Sequence, residues 1–274
     1  TARDQADNNT TNDSATADIT VACPAAVNVA TAAELITAVE NANLVNTACE
    51  NIINVTANIP FAAAYAGVDS ALPAIVGNIR INGVPAPAVI SRGGAAPNFR
   101  FAEVTGANAT LTVSGVNLFD FSVIGDGGTF LVTNGQLFLG NMAIGTSNAT
   151  LNGGAINIQG NGFFQSDVTL SITASEATGS GSAIYADTSA SGFVFALRNA
   201  TFDGNLGTET VYYLGAGAGA STFNWETVTI VNSAGTGVVV DNATLNIATN
   251  SVLQANLGAN CAVVNGGVTN VNGA

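Results

Sequence analysis

Residues 130–144 read Phe130-Leu-Val-Thr-Asn134-Gly135-Gln-Leu137-Phe-Leu139-Gly-Asn-Met142-Ala-Ile144. Three short apolar runs follow one another here: one opens at Phe130, one holds Leu137 and Leu139, and one holds Met142 and Ile144. Apolar residues at every second position have the period of a strand with one buried side. Asn and Gly accept the positive φ of tight turns, so Asn134-Gly135 closes one strand and opens the next. Each run is too short for a helix, and no helical period separates them.

The pattern recurs on both sides. First runs start at Phe101, Phe130, Ile156, Ile184, Val211, Val238 and Val263, at spacings of 29, 26, 28, 27, 27 and 25 residues. Second runs hold Leu111/Val113, Leu137/Leu139, Phe163, Phe193/Phe195, Phe223/Trp225 and Leu245/Ile247. Third runs hold Val116/Leu118, Met142/Ile144, Leu170/Ile172, Phe202, Val228/Ile230 and Val252. Turn residues separate them at Asn161-Gly162, Asp203-Gly204-Asn205 and Asn265-Gly266-Gly267. So regular a period marks a solenoid. Three strands per period predict an all-β, right-handed parallel β-helix, with coils over residues 61–274 spaced about 4.8 Å along the axis. Apolar alternates stack inside as ladders, and Thr, Asn and Ser face water.

Upstream, residues 19–60 read as a cap. Thr31-Ala-Ala-Glu34 is a capping box, in which hydroxyl and carboxylate satisfy free N–H groups at a helix start. Leu35, Ile36, Val39 and Ala42 follow at helical spacing, which predicts a helix over about 32–42. A strand is expected at 19–21, and others at 52–55, 79–81 and 88–90. Residues 1–18, TARDQADNNTTNDSATAD, have no apolar period and carry Asp4, Asp7, Asp13 and Asp18. Such a tail needs a partner surface, either a neighbouring subunit for which it serves as an assembly arm or its own domain.

Cys23 and Cys49 flank the helix, and Cys261 lies near the far end. In an oxidising compartment Cys23–Cys49 is expected as a disulfide, leaving Cys261 free or intermolecular. The alternative is three buried thiols. The chain opens on a polar stretch without Met, as a secreted protein does once its signal peptide is removed, so the expected location is extracellular or at the cell surface. No run of 18 apolar residues is present, so no membrane span is expected.

Composition excludes much chemistry. Histidine and lysine are absent, and all five basic residues are arginines against 18 acids, a net charge of −13. No Ser-His-Asp triad, Cys-His pair, Schiff-base lysine, P-loop lysine or histidine-ligated metal can be built. A pI near 4.1 repels nucleic acid. Gly215-Ala-Gly217-Ala-Gly219 lacks the lysine of a phosphate loop, and Gly125-Asp126-Gly127-Gly128 has too few acids for a hard cation. Glycoside hydrolysis needs two carboxyls on one face, whereas the acids here are scattered over different coils. No catalytic, cofactor or metal residue is assigned, and the chain reads as a non-enzyme. The nearest approach to a glycan contact is Trp225 and Glu226 with Arg198 in the adjacent coil, although Trp225 alternates with Phe223 as core residues do. Asn-x-Ser/Thr occurs at Asn8, Asn9, Asn12, Asn54, Asn108, Asn148, Asn199 and Asn242. This triplet can mark N-glycosylation; the recurrent Asn-Ala-Thr is also ordinary turn chemistry.

Several segments resemble a known group. Thr31-Ala-Ala-Glu34-Leu35-Ile36-Thr37-Ala38-Val39, Asn51-Ile52-Ile53-Asn54-Val55, Leu72-Pro73-Ala74-Ile75, Ile81-Asn82-Gly83 and Asn98-Phe99-Arg100 are similar to the N-terminal module of large bacterial right-handed β-helix surface proteins. Asn199-Ala-Thr-Phe-Asp-Gly-Asn205 resembles their repeats. The likeness covers roughly residues 28–274 and extends to pectate-lyase-like and polymorphic outer-membrane-protein-like β-helices. It implies an exported surface protein, commonly without catalysis.

Residues 268–274 read as one more coil, and an open coil end exposes unpaired backbone that invites another strand. The leading expectation is an extracellular structural subunit that self-assembles head to tail, a homopolymer joined through coil ends and tail. The alternatives are a monomeric adhesin that binds glycans along its polar face and, behind it, a polysaccharide lyase or hydrolase.

Overall fold

The structure, a computed structural model, describes residues 23–45, 48–188, 194–216, 221–248 and 250–271, with only the backbone at Val194. The tail with Asp4, Asp7, Asp13 and Asp18, the strand expected at 19–21, and Phe193 lie outside the described residues.

The chain winds into a parallel β-solenoid of about eight turns with one short helix. The first face begins at Val27–Val29 and runs through Asn51–Val55, Asn78–Gly83, Thr110–Ser114 and Gln136–Gly140 to Val268–Val271. The second begins at Ile59–Phe61 and includes Ala88–Arg92, Val116–Phe119, Met142–Gly145 and Leu170–Thr173. The third runs from Ala102–Thr105 through Phe130–Thr133, Ile156–Gln159, Ile184–Asp187, Glu209–Leu214 and Thr236–Asp241 to Cys261–Val264. Two ten-residue strands, Val194–Asp203 and Thr222–Val231, bend around the corner between the first two faces. A short fourth ladder, Ser122–Val123, Asn148–Ala149 and Glu176–Ala177, was not foreseen.

The corners repeat because backbone conformation stacks along with the side chains. Between the first and second faces, Gly115, Asn141, Asn199, Thr227 and Asn250 all have positive φ. After the second face, so do Asp120, Thr146, Ala174, Gly204, Asn232 and Ala255. Non-glycine residues tolerate this region only where the surroundings hold them, and here each rung is clamped by the next.

Inside, register aligns the ladders. Ile53, Ile81, Val113 and Leu139 are successive rungs of one column and are all buried. The pairing also corrects four sequence assignments. Phe130 pairs with Ala102 rather than Phe101, and Val238 with Cys261 rather than Val263. The inward aromatic opposite Leu137 is Phe164, not Phe163, and the residue opposite Ile230 is Leu253, not Val252. In each case apolar neighbours left the phase open, and the register of the adjoining coil settles it.

The helix, α1, spans Ala32–Asn43, and Thr31 and Glu34 form the capping box. It buries Leu35, Ala38, Val39 and Ala42 against the N-terminal end of the core, where water would otherwise reach the first rungs. Asn43 anchors its end: Nδ2 donates to Ala74 O (2.8 Å), and Oδ1 accepts from the Val76 and Gly77 amides. The Cys23–Cys49 disulfide joins the lead-ins to the first two strands of the first face. One hydrophobic core runs from Val29 to Ile247, unbroken across residue 60.

Candidate functional site

Every second side chain of the first face points outward, and among the described residues these side chains line several shallow depressions along the axis, three of them away from the helix. The first, about 480 Å³, is lined by Glu50, Arg80, Thr112, Phe138, Gln165 and Asp167. The next, about 360 Å³, lies beside it and is lined by Ala107, Asn134, Gln136, Phe138, Asn161 and Phe163. The third, about 310 Å³, is lined by Arg198, Asn224, Glu226 and Asn246, with Trp225 beneath.

The structure separates the three residues that the sequence grouped as a glycan contact. Arg198 and Glu226 are neighbouring rungs of one outer column, with Nε and Oε2 3.0 Å apart. Asp167 on the other side of Arg198 completes a chain of charges, at 3.4 Å. All three are about half exposed, so water screens them and the grouping is a polar platform rather than a stabilising lock. Trp225 is not part of that platform. It is 1% exposed, and its indole N–H donates to the Tyr213 hydroxyl at 2.9 Å inside the core. Its ring cannot stack on a bound sugar, because strand alternation turns it away from Glu226. Amide side chains continue the platform: Asn246 donates to Asn224, and Asn270 to Asn246, each at 2.9 Å.

Two outward features escaped the sequence reading. Phe138 and Phe163 sit half-buried on the outer side of the first face, with ring centroids 5.6 Å apart. On the third face Tyr185 stacks on Tyr212 at 5.6 Å, and the Tyr212 hydroxyl donates to Asp241. Burial first, then the charges of Asp187, Asp126 and Asp241, push the Tyr185 phenol up to about 12. Tyr212 is also raised, by burial and its bond to Asp241. The register signals that place these rings outward are pairing facts, invisible in a single period.

Three of the acids hold corners. Asp120 accepts from Thr146, Asp203 from Asn232, and Asp126 from the Asn152 amide and Gln159. Arg100 is also structural. It is 7% exposed, its guanidinium donates to the carbonyls of Asp126 and Gly127, and burial pulls it below its usual value. Among the described residues no group of three or more Cys, Asp or Glu is placed to hold a metal ion, and no helix is long and apolar enough to cross a membrane. Among buried side-chain polar atoms of the described residues, Asn157 Oδ1 alone lacks a partner.

The sequence matches no protein-family model, and no curated protein matches it.

Proposed function

We propose that this chain is an exported structural surface protein whose solenoid joins other copies end to end. The observation that carries the reading is the condition of the last described coil. Val263 and Val271 continue inner columns, yet they are 46% and 66% exposed. Their partners one rung earlier, Val240 and Ile247, are 0% and 6% exposed. Where this cross-section meets a second copy, its apolar columns and the strands at its edge favour a further β layer, through both burial and backbone pairing. A second copy supplies such a layer. The Cys23–Cys49 disulfide supports an oxidising compartment, and the likeness to bacterial surface β-helices supports export.

Electron microscopy and sedimentation of the full chain test the reading, together with a variant lacking residues 1–18. Filaments or discrete oligomers are expected, shortened or lost without the tail. A strictly monomeric full-length chain at high concentration overturns it.

A second reading has its own observation. The platform of Asp167, Arg198 and Glu226, with Asn224 and Asn246, presents fixed hydrogen-bonding groups at a depression, as glycan sites do. Titration with a panel of neutral and acidic oligosaccharides tests it. Binding that disappears in Arg198→Ala is expected, and no binding to the wild-type chain removes it.

A further inference from the structure

Five Asn-x-Ser/Thr triplets fall within described residues, and the structure treats them differently. The Asn54 amide donates to Asn28 Oδ1 (3.0 Å), and Asn148 to Glu176 Oε2 (3.4 Å). Asn199 donates to Asp167 O (3.1 Å), and Asn242 to Gly215 O (3.2 Å). Asn199 and Asn242 also sit at corners with φ near +50° (51° and 50°). In these four, the side chain that would accept a sugar is tied to a neighbouring coil.

Asn108 differs for a visible reason. Asn108-Ala109-Thr110 and Asn242-Ala243-Thr244 occupy the same corner, between the third and first faces. At the second site only Asn242 and Ala243 separate strands Thr236–Asp241 and Thr244–Ile247. At the first, residues 106–109 separate Ala102–Thr105 from Thr110–Ser114, two residues more. Ala109 and Ala243 are both fully buried, so the extra length lies before the alanine. The added turn closes through the Ala109 amide on Gly106 O (2.9 Å), with Gly106 at φ +104°. It lifts Asn108 clear of the corner. Asn108 is exposed and makes no side-chain hydrogen bond among the described residues. Its neighbour Ala107 lines the depression that holds Phe138 and Phe163.

We propose that Asn108 is the N-glycan acceptor of the folded solenoid and that the linked sugar covers the Phe138–Phe163 depression. The donor is a lipid-pyrophosphate-linked saccharide presented by an oligosaccharyltransferase. The Asn108 amide nitrogen forms a bond to the sugar C1. The C1–oxygen bond to pyrophosphate breaks, the amide gives up one proton, and lipid pyrophosphate leaves. Triplets of this kind belong on exposed loops, and among the described residues the lengthened corner supplies an exposed one whose amide is not tied to a neighbouring coil. The proposal rests on the export reading and is independent of assembly.

The test offers the folded, disulfide-bonded full chain to a transferase that requires only Asn-x-Ser/Thr, with occupancy mapped peptide by peptide. The same chain, reduced and unfolded, is the competence control. Asn108 is expected to be modified in the folded chain, with Asn54, Asn148, Asn199 and Asn242 about tenfold slower, because each must first break a hydrogen bond. Thr110→Ala abolishes the Asn108 signal. Equal rates at all five sites, or an unmodified Asn108 in a folded chain whose unfolded form is accepted, overturns the proposal. Whether the chain is exported at all is read separately, from its appearance outside cells that express it with a leader.

Discussion

Gly83 lies so close to the backbone of Gly115 that a Cβ on Gly83 would sit 1.8 Å from the Gly115 carbonyl oxygen. Both glycines are at coil corners, Gly83 closing the strand Asn78–Gly83 and Gly115 turning with φ +63°. The clash is with backbone, which cannot rotate away. Gly83→Ala therefore costs about 3 kcal/mol or more, read as a lower denaturation midpoint. Gly94→Ala is the control, since nothing lies within 4 Å of a Cβ there. Its effect should stay within about 0.5 kcal/mol.

The only tryptophan reports on the core. Trp225 donates to Tyr213, which is itself 2% exposed and raised by burial above the usual tyrosine range. Tyr213→Phe removes the acceptor and leaves a buried N–H unpaired, at about 1–3 kcal/mol. Emission from the wild-type chain should be blue and poorly quenched by acrylamide. It should not change when oligosaccharides are added, even if they bind, because the ring lies behind the platform.

The period was legible because core residues come in pairs at fixed intervals, as at Leu111/Val113 and Leu137/Leu139, both buried in successive rungs. The cap was legible because Thr31 and Glu34 have one job at one spacing. Phase was lost where two apolar residues adjoin. Phe163-Phe164 and Val252-Leu253 read equally well either way, and only pairing with Leu137 and Ile230 decides. The candidate surface was half legible. Arg198 and Glu226 are indeed one rung apart, but the sequence could not show which side Trp225 faced until Phe223 and Trp225 were fixed as inner rungs. Tyr185 and Tyr212 were passed over because outer positions were expected to be Thr, Asn or Ser.

The stacked tyrosines make stability fall in alkali. An unfolded tyrosine loses its proton near 10.0, whereas Tyr185 in the fold keeps its proton to about 12. Between those values the unfolded state binds fewer protons, so unfolding becomes easier as pH rises. The contribution is complete below pH 10 and is lost on the way to 12. Tyr185→Phe should flatten the fall in melting temperature over that window. Ultraviolet titration should show a tyrosine that ionises later than the free side chain. An unchanged slope in the variant counts against the assignment.

The Cys23–Cys49 bridge closes a loop across 26 residues that includes α1. Restricting an unfolded loop of that size is worth about 3 kcal/mol. Reduction, or Cys23→Ser with Cys49→Ser, should lower the denaturant midpoint accordingly. The loss should be concentrated at the N-terminal end, where hydrogen exchange of Val27–Val29 and α1 accelerates before that of the central coils. Uniform acceleration along the solenoid would mean that the cap and the coils open together.

Arg198 separates stability from recognition. It faces Asp167 at 3.4 Å and Glu226 at 3.0 Å, but with its side chain 51% exposed the pairs are weak. Arg198→Ala should cost less than about 1 kcal/mol. High salt should likewise leave the melting temperature nearly unchanged, because the core is apolar and few opposite charges exist to screen. The same variant leaves Asp167 and Glu226 with no cation between them on one outer column. Binding of an acidic oligosaccharide to this face should then disappear while the fold is retained. If Arg198→Ala instead unfolds the chain, the column is part of the scaffold, and the platform cannot be read as a free binding surface.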